Sequence, residues 1–341
     1  MPGLPGVPSS PTPTPKAEVK SRDIEIVFQD CESVAGGGYT LAYCGKSNTG
    51  KSDSAITLGH MQKKNAALFR SLGMTFLADA LEQDLIPEVK KIILIESENA
   101  YIKQKDRIKE RSLYGELRPM IKHYTIDSVS KDEATATDGG TRITAKSIED
   151  IQTSAEKYSA AIDAAKKLAD ANTLVILDSA SRYKLLLDIK ADMIETLRNE
   201  GKGEEGIKSN SIKKWQNRNG WWMRSMTVLR GMPGWVVCTF MDEDVADFVQ
   251  DMQKKSGKKV QETKREWAPK TAFNFDIIYN FTRDTPTSEP YASLESSRYP
   301  YAGDPDEKGN LHGEKYNEIC LNNKYAILWM IEGMLRGNKE A

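Results

Sequence analysis

The feature that most constrains this chain is a glycine-rich octapeptide at residues 45–52. It fits the phosphate-binding loop pattern G-x-x-x-x-G-K-[ST] without exception. The apolar run at 39–44 has the character of a buried strand, and residues 54–58 can open the helix that should follow the loop. Strand, loop and helix in this order are the structure that phosphate binding requires. The motif therefore predicts binding of a nucleoside triphosphate.

The chemistry of such a loop assigns a role to its individual residues. Successive backbone N–H groups and the positive end of the helix would cradle the phosphates. Lys51 would reach the β- and γ-phosphates, and the Ser52 hydroxyl would bind Mg²⁺. The alternative is a glycine-rich turn that binds nothing. The predicted ligands are ATP and Mg²⁺, and the predicted nucleotide-binding residues are Gly45, Lys46, Ser47, Asn48, Thr49, Gly50, Lys51, Ser52 and Asp53.

The composition of the 341 residues is that of an ordinary soluble protein, with 39% hydrophobic and 28% charged residues. The formal net charge of −1 provides no global basic field, so nucleic-acid binding would need local patches. The longest apolar run, Tyr325–Ile331, is too short to span a bilayer, and no signal-peptide core is found at the N-terminus. Scattered cysteines and only three histidines predict a reducing, cytoplasmic location without a zinc site.

Strands alternate with helices from residue 22 to about 283, which predicts an α/β fold with a doubly wound, mostly parallel sheet. We expect a disordered Pro-rich tail at 1–17, a nucleotide-binding domain at 18–284 and a turn-rich extension with a terminal helix at 285–341. The predicted strands are 22–28, 39–44, 91–95, 121–126, 173–178, 234–239 and 275–281, and the predicted helices are 52–68, 103–113, 148–171, 215–230 and 324–335.

Polar residues end two of the apolar strands and are candidates for the metal site. Asp178 ends the strand at 173–178, where it would bind the metal ion; its alternative role is to cap the following helix. Thr239 ends the strand at 234–239 and would sense the γ-phosphate; alternatively, it is only a β-branched strand residue.

Two carboxylates follow the strand at 91–95 and are candidates for the general base. Side chains alternate along a strand, so Glu96 and Glu98 point the same way and both could face the cleft. One of them could polarise the attacking water. The alternative is a pair of solvated carboxylates at the sheet end.

The order of these motifs resembles the RecA-like ATPase core, in particular the compact RecA-like ATPases encoded by bacteriophages, over roughly residues 22–283. In that family the strand after the first helix ends in Asp-Ala-Glu or a near variant, with the final Glu as catalytic base. Glu96-Ser97-Glu98 is similar, and the resemblance favours Glu98 over Glu96 as the base. The family's metal strand ends in Asp-Ser, as Asp178-Ser179 does.

The sensor strand departs from this pattern. RecA itself ends that strand with an Asn-Gln pair, whereas this chain continues from Thr239 into Phe240 and Met241. The departure moves the resemblance towards the phage-type relatives, whose sensor strands vary.

The resemblance also implies that two loops hold DNA, one after the metal strand and one after the sensor strand. The first corresponds to about Leu185–Gly220 and precedes Trp221 and Trp222, which could stack bases or belong to the core. The second is a basic tip suited to sequence-independent phosphate contacts, although a solvated hairpin would look similar. Its predicted nucleic-acid contacts are Lys254, Lys255, Lys258 and Lys259.

In RecA-like assemblies the site lies between subunits, and a neighbour's cation stabilises the transition state. Arg265 is the first choice for that cation, because its planar fork suits phosphate oxygens. The resemblance therefore implies a homo-oligomer, either a ring or a filament.

Three functions follow from these patterns. The first is a DNA-dependent ATPase of phage single-strand recombination or annealing, acting on single-stranded DNA in the host cytoplasm. The second is a phosphate-loop kinase, for which Arg107 and Arg111 are the only lid candidates. The third is a ring or scaffold that uses ATP to assemble and has no role on DNA.

Overall fold

A computed structural model describes residues 38–97, 116–126, 136–137, 140–141, 145–199, 204–244, 250, 253, 263–285, 287–299, 318–323 and 325–340. In chain order the elements are β1 (Tyr39–Gly45), α1 (Lys51–Thr57), α2 (Ala66–Ser71), α3 (Thr75–Glu82), β2 (Lys91–Glu96), β3 (Ile121–Thr125), β4 (Ala136–Thr137), β5 (Gly140–Thr141), α4 (Ala145–Leu168), β6 (Thr173–Asp178), α5 (Ala180–Asn199), α6 (Glu204–Arg230), β7 (Trp235–Asp244), β8 (Thr263–Arg265), β9 (Ile277–Thr282), β10 (Tyr291–Ser297), β11 (Glu318–Cys320) and α7 (Leu328–Glu340). The predicted strand at 22–28, the predicted helix at 103–113 and the Pro-rich tail lie outside the described residues.

The main sheet has the order β11-β10-β9-β1-β7-β6-β2-β3, and β8 pairs with the far end of β7. The strands from β9 to β3 run parallel, whereas β10 and β11 are antiparallel to their neighbours. The sheet is therefore mostly parallel, as the sequence predicted, with antiparallel strands at one edge.

Helices pack on both faces of this sheet, because successive side chains of each central strand point to opposite faces. From β1, Leu41 and Tyr43 join the core formed with α1, α2, α3 and α7. The alternate residues Ala42 and Cys44 join the core formed with α4, α5 and α6. Burial on both faces explains why the central strands are continuous apolar runs. The doubly wound α/β fold predicted from the sequence is confirmed.

The helix predicted at 52–68 is wrong as a single element. It ends at Thr57 and is followed by two 3₁₀ turns before α2 begins. Close packing accounts for the break, since a Cβ on Gly59 would lie 2.7 Å from Cδ1 of Ile92 in β2. The Asn65 side chain then donates a hydrogen bond of 2.8 Å to the carbonyl of His60 and holds the turn.

The predicted channel loop at Leu185–Gly220 is also wrong, because α5 and α6 cover nearly all of it. Two of its basic residues pair with acids of α5: Lys214 contacts Asp192 and also Glu195 at 3.0 Å. Arg218 lies 3.4 Å from Asp188. These cations therefore join α6 to α5 in the described structure.

The two tryptophans on α6 differ in environment. Trp222 is fully buried and donates a hydrogen bond of 2.8 Å to the Thr271 hydroxyl. Trp221 is half-buried, and the Lys190 ammonium lies 5.3 Å from its ring centroid. The core interpretation of this pair is confirmed for Trp222.

The section after residue 284 contains more regular structure than predicted. Strands β10 and β11 extend the sheet beyond β9, and the terminal helix spans Leu328–Glu340. Glu332 of that helix is buried and accepts backbone hydrogen bonds from Phe76 at 3.1 Å and Leu77 at 2.6 Å, at the start of α3. The domain boundary at residue 284 stays a prediction. No helix among the described residues has the length and apolarity to cross a membrane.

Candidate nucleotide-binding site

The phosphate loop joins the carboxyl end of β1 to the first residue of α1 and requires glycine at both of its ends. Gly45 has a φ of 147°, and a Cβ there would lie 2.1 Å from the carbonyl oxygen of Phe281 in the neighbouring strand. Gly50 has a φ of 86°, in the left-handed region that side chains disfavour. The loop can therefore follow this path only with glycine at these two positions.

Within the loop, the Lys51 ammonium donates hydrogen bonds to the carbonyls of Gly45 at 2.7 Å and Lys46 at 2.5 Å. It also lies 3.4 Å from the Thr49 hydroxyl, which donates to the Lys46 carbonyl at 2.9 Å. These bonds hold the positive charge against the loop, where it would meet phosphate oxygens.

The loop opens onto a cleft of about 270 Å³ at the carboxyl edge of the sheet. This cleft brings together many of the residues that the sequence singled out. Its described lining consists of Ser47, Asn48, Thr49, Gly50, Lys51, Ser52, Asp53, Asp178, Ser179, Thr239, Phe240, Met241 and Arg283.

Asp178 and Thr239 are joined directly. The buried Thr239 hydroxyl donates a hydrogen bond of 2.5 Å to Oδ1 of Asp178 on the neighbouring strand. The hydroxyl of Ser179, not the carboxylate of Asp178, accepts the backbone N–H of Arg182 at 3.1 Å in the first turn of α5. The hydrogen bond that caps the first turn of α5 therefore goes to Ser179 and not to Asp178. Thr239 makes a specific hydrogen bond in addition to occupying a strand position. The peptide bond between Asp178 and Ser179 is cis.

The donor groups fit a hydrated Mg²⁺ ion, because hydroxyl and carboxylate oxygens are the ligands that this ion prefers. The Ser52 hydroxyl and the Asp178 carboxylate belong to the same cleft. Among the described residues no group of three or more His, Cys, Asp or Glu side chains could hold a metal by itself. A metal bound here would therefore share its coordination with water and with the phosphates of a nucleotide.

Glu96 is directed to the neighbouring strand rather than to the cleft lining. It stands opposite Asp178 in the β2–β6 register, yet its side chain is 1% exposed and lies 2.8 Å from Nε2 of His123 on β3. The Thr125 hydroxyl lies 3.1 Å from the same nitrogen. Glu98, the other candidate base, lies outside the described residues.

Arg265 is bound within its own chain. Its guanidinium contacts Asp242 at 2.9 Å and Glu295 at 2.8 Å, and it lies 4.8 Å from the ring centroid of Trp267. Burial lowers the pKa of Arg265, but the hydrogen bonds that it donates to Glu295 and Asp242 outweigh burial and raise the pKa above its ordinary value. Arg265 does not line the described part of the cleft; it links β8 to β7 and β10.

The end of β7 also contacts the phosphate loop. Lys46 and Asp244 form an exposed ion pair of 2.6 Å, and the Ser47 hydroxyl lies 3.8 Å from the sulfur of Met241. This strand therefore joins Thr239, inside the cleft, to the ribbon formed with β8. The predicted nucleic-acid contacts Lys254, Lys255, Lys258 and Lys259 lie outside the described residues, between β7 and β8.

Arg283 is the cleft residue that sequence reasoning missed. It directly follows β9, whose Phe281 pairs with Gly45 of the phosphate loop strand. In the sequence, Arg283 is recognisable only as a basic residue that directly follows an apolar strand. Its distance along the chain from the loop motif follows no fixed rule, so the motif could not identify it.

No family model and no curated protein matches the chain. Among solved structures it is similar to the crystal structure of the RadB recombinase, with 13% sequence identity and a TM-score of 0.35. That similarity covers 77% of this chain and 83% of the other. At this level of similarity, function has to be inferred from the residues of the site.

Proposed function

We propose that this chain is a RecA-like ATPase that binds ATP with Mg²⁺ and hydrolyses it in the cleft at the carboxyl edge of the sheet. The observation that carries the proposal is the position of the Asp178–Thr239 pair, 2.5 Å apart, in the same cleft as a complete phosphate loop. A loop that only turned the chain would not need a carboxylate and a hydroxyl opposite it.

Each residue has a distinct part in this proposal. The backbone N–H groups of the loop would hold the phosphates, and Lys51 would exchange its carbonyl partners for phosphate oxygens. Ser52 and Asp178 would hold the Mg²⁺ ion, which when bound offsets the negative charge of the phosphates. Thr239 binds Oδ1 of Asp178, which would leave the other carboxylate oxygen for the metal ion.

We assign the general base to Glu98, which would accept a proton from the attacking water. The contact of Glu96 with His123 supports this choice, because a carboxylate held by β3 is less able to reach a water in the cleft. Glu96 then belongs to the contact between β2 and β3.

The test is nucleotide binding and phosphate release by the purified full chain. We expect Lys51→Ala to weaken ATP binding, and Glu98→Gln to bind ATP while turnover falls on the order of 100-fold or more, as for loss of a general base. Glu116→Gln, an exposed position before β3, is the matched control. Wild-type protein that binds no ATP would contradict the whole proposal.

The same measurement separates the other two functions. Phosphate transferred to an acceptor, without release of free phosphate, would indicate a kinase. Binding of ATP with assembly but no turnover would indicate a scaffold. Hydrolysis at an unchanged rate in Glu98→Gln would remove Glu98 from the role of base.

At a finer level, we propose that single-stranded DNA stimulates this hydrolysis, as in a recombination ATPase that forms a homo-oligomeric ring or filament. The support is connectivity: the lysine-rich segment 254–259 joins β7 to β8, and β7 also carries Thr239 and the partner of Lys46. A change in the position of this segment on DNA binding would therefore be transmitted to Thr239 in the cleft through β7.

We expect single-stranded DNA to raise the ATPase rate of the wild type, and Lys258→Ala combined with Lys259→Ala to remove the rise without changing the basal rate. Lys63→Ala with Lys64→Ala, a second adjacent lysine pair, is the control. Measurement at several salt concentrations should show that salt weakens the stimulation, because phosphate contacts release counterions. An ATPase that no nucleic acid stimulates would contradict the DNA role.

A further inference from the structure

Arg283 lines the same cleft as the phosphate loop, although no motif requires it. Among the described lining residues it is, with Lys51, one of two basic side chains, and the acidic Asp53 and Asp178 line the same cleft. Arg265, the arginine favoured from the sequence, is instead bound to Asp242 and Glu295. The cleft therefore has its own arginine within one chain.

Strand order places Arg283 on a definite side of the loop. The loop strand β1 pairs on one side with β7 and on the other with β9. Thr239 lies in the buried part of β7, and Asp178 ends β6, one strand further on. Arg283 follows β9, so the loop strand β1 and strand β7 lie between it and Asp178. Because neighbouring strands lie about 4.8 Å apart, three strand spacings separate β9 from β6, and Arg283 and Asp178 would approach a bound nucleotide from opposite sides of the loop.

The chain after Arg283 closes this side of the loop. A Cβ on Gly50 would lie 3.6 Å from Cγ of Pro290 and 3.7 Å from Cδ1 of Leu321. The Leu321 N–H donates a hydrogen bond of 2.8 Å to the Pro290 carbonyl and joins the two segments. The chain is therefore held beside the loop both in β9, before Arg283, and at Pro290, after it.

Ser52 and Asp178 would hold a metal ion that offsets the charge of the phosphates, so the terminal phosphate would belong on the side of Asp178 and Thr239. The phosphates nearer the nucleoside would then lie towards β9. We propose that Arg283 binds these non-transferred phosphates from within the same chain. The inference rests on the proposed ATPase function and adds to it a residue that binds ATP and ADP alike, because both ligands carry those phosphates.

The experiment measures the Kd of ATP and of ADP, with Mg²⁺, for the wild type, Arg283→Ala and Arg283→Gln. A hydrogen bond to a charged group implies a loss on the order of 10-fold to 100-fold, equal for the two nucleotides. KM should rise by a similar factor with kcat little changed, as for uniform binding. Arg283→Gln keeps most of the side-chain volume, so weaker binding in both variants excludes a packing effect.

Arg298→Ala is the matched control, because Arg298 follows β10 at the opposite end of the sheet, where Ser297 pairs with Ile277. A loss for ATP alone would assign Arg283 to the terminal phosphate and overturn the proposal, as would unchanged binding in either variant. Wild-type protein that binds neither nucleotide would instead contradict the ATPase function itself.

Mixing Lys51→Ala chains with Arg283→Ala chains, at an ATP concentration well below the raised KM of Arg283→Ala, tests whether Arg283 acts within its own subunit. Lys51→Ala chains retain Arg283, and Arg283→Ala chains retain the complete loop. If the arginine served a neighbour's site, mixing would restore hydrolysis at low ATP concentration. We expect no restoration, and a recovered rate would overturn the assignment to the same chain.

Discussion

At the scale of single residues, the hydrogen bond from Thr239 to Asp178 is the contact on which the site depends most. A buried hydroxyl that donates to a carboxylate at 2.5 Å fixes the direction of both side chains. Hydrogen bonds to charged groups contribute about 1.5–3 kcal/mol, and an unpaired buried acceptor costs more than an exposed one. The Asp178 carboxylate, the predicted metal ligand, is therefore oriented by Thr239 of the adjacent strand β7.

Replacing Thr239 with valine keeps the shape of the side chain and removes its donor. We expect turnover to fall on the order of 10-fold to 100-fold, since about 1.5–3 kcal/mol of orientation is lost, with a smaller change in ATP affinity. Thr239→Ser retains the hydroxyl and should keep most of the activity. Turnover and Kd measured over a range of Mg²⁺ concentrations check this, and a fully active Thr239→Val would show that Asp178 needs no such support.

The sequence could predict Asp178 and Thr239 because each follows an apolar run whose end must lie at the sheet edge. It could not predict that they touch, since their contact depends on β6 and β7 being neighbours. Arg283 was beyond prediction for the same reason: its proximity to the loop arises from the pairing of β9 with β1.

At the scale of elements, the central strands were predictable because burial on both faces leaves them continuously apolar. Strands β10 and β11 were not, since only Ala292 and Ile319 are buried in them and the remaining residues are mixed or polar. Strand β11 is the edge of the sheet and β10 lies next to it, so few positions in either strand face a covered core.

For helices α5 and α6, the periodicity of the sequence and the resemblance to RecA-like proteins predict different structures. Leu186, Leu187 and Ala191 are buried at helical spacing, and this periodicity was available in the sequence. The resemblance to RecA-like proteins instead implies a DNA-binding loop at that place. In the described structure, ion pairs such as Lys214–Glu195 instead join the two helices.

At the scale of the whole molecule, Glu332 connects the last helix to the first third of the chain. Its carboxylate accepts the backbone N–H groups of Phe76 and Leu77 where α3 begins. Burial raises the pKa of Glu332, and the two backbone hydrogen bonds only partly oppose this. Folding therefore favours the protonated form of this group more than the unfolded chain does.

The sign of the pH dependence follows from linkage. Where the folded state holds more protons than the unfolded state, the free energy of unfolding falls as pH rises. For Glu332 this fall begins near its ordinary pKa of 4.5 and ends above the raised folded value. Each unit of difference between the two pKa values corresponds to about 1.4 kcal/mol.

Glu332→Gln removes this titration and keeps one acceptor oxygen for the start of α3. We expect the wild type to lose free energy of unfolding relative to Glu332→Gln as pH rises from about 4 to 8. Denaturant unfolding of both proteins across that range measures the difference, and Glu318→Gln, at an exposed position of β11, controls for the loss of one negative charge. A difference that grew in favour of the wild type would mean that the backbone hydrogen bonds to the carboxylate outweigh the cost of burying its charge. Helix α7 would then be held to the start of α3 by an ionised carboxylate, and acid would weaken this contact.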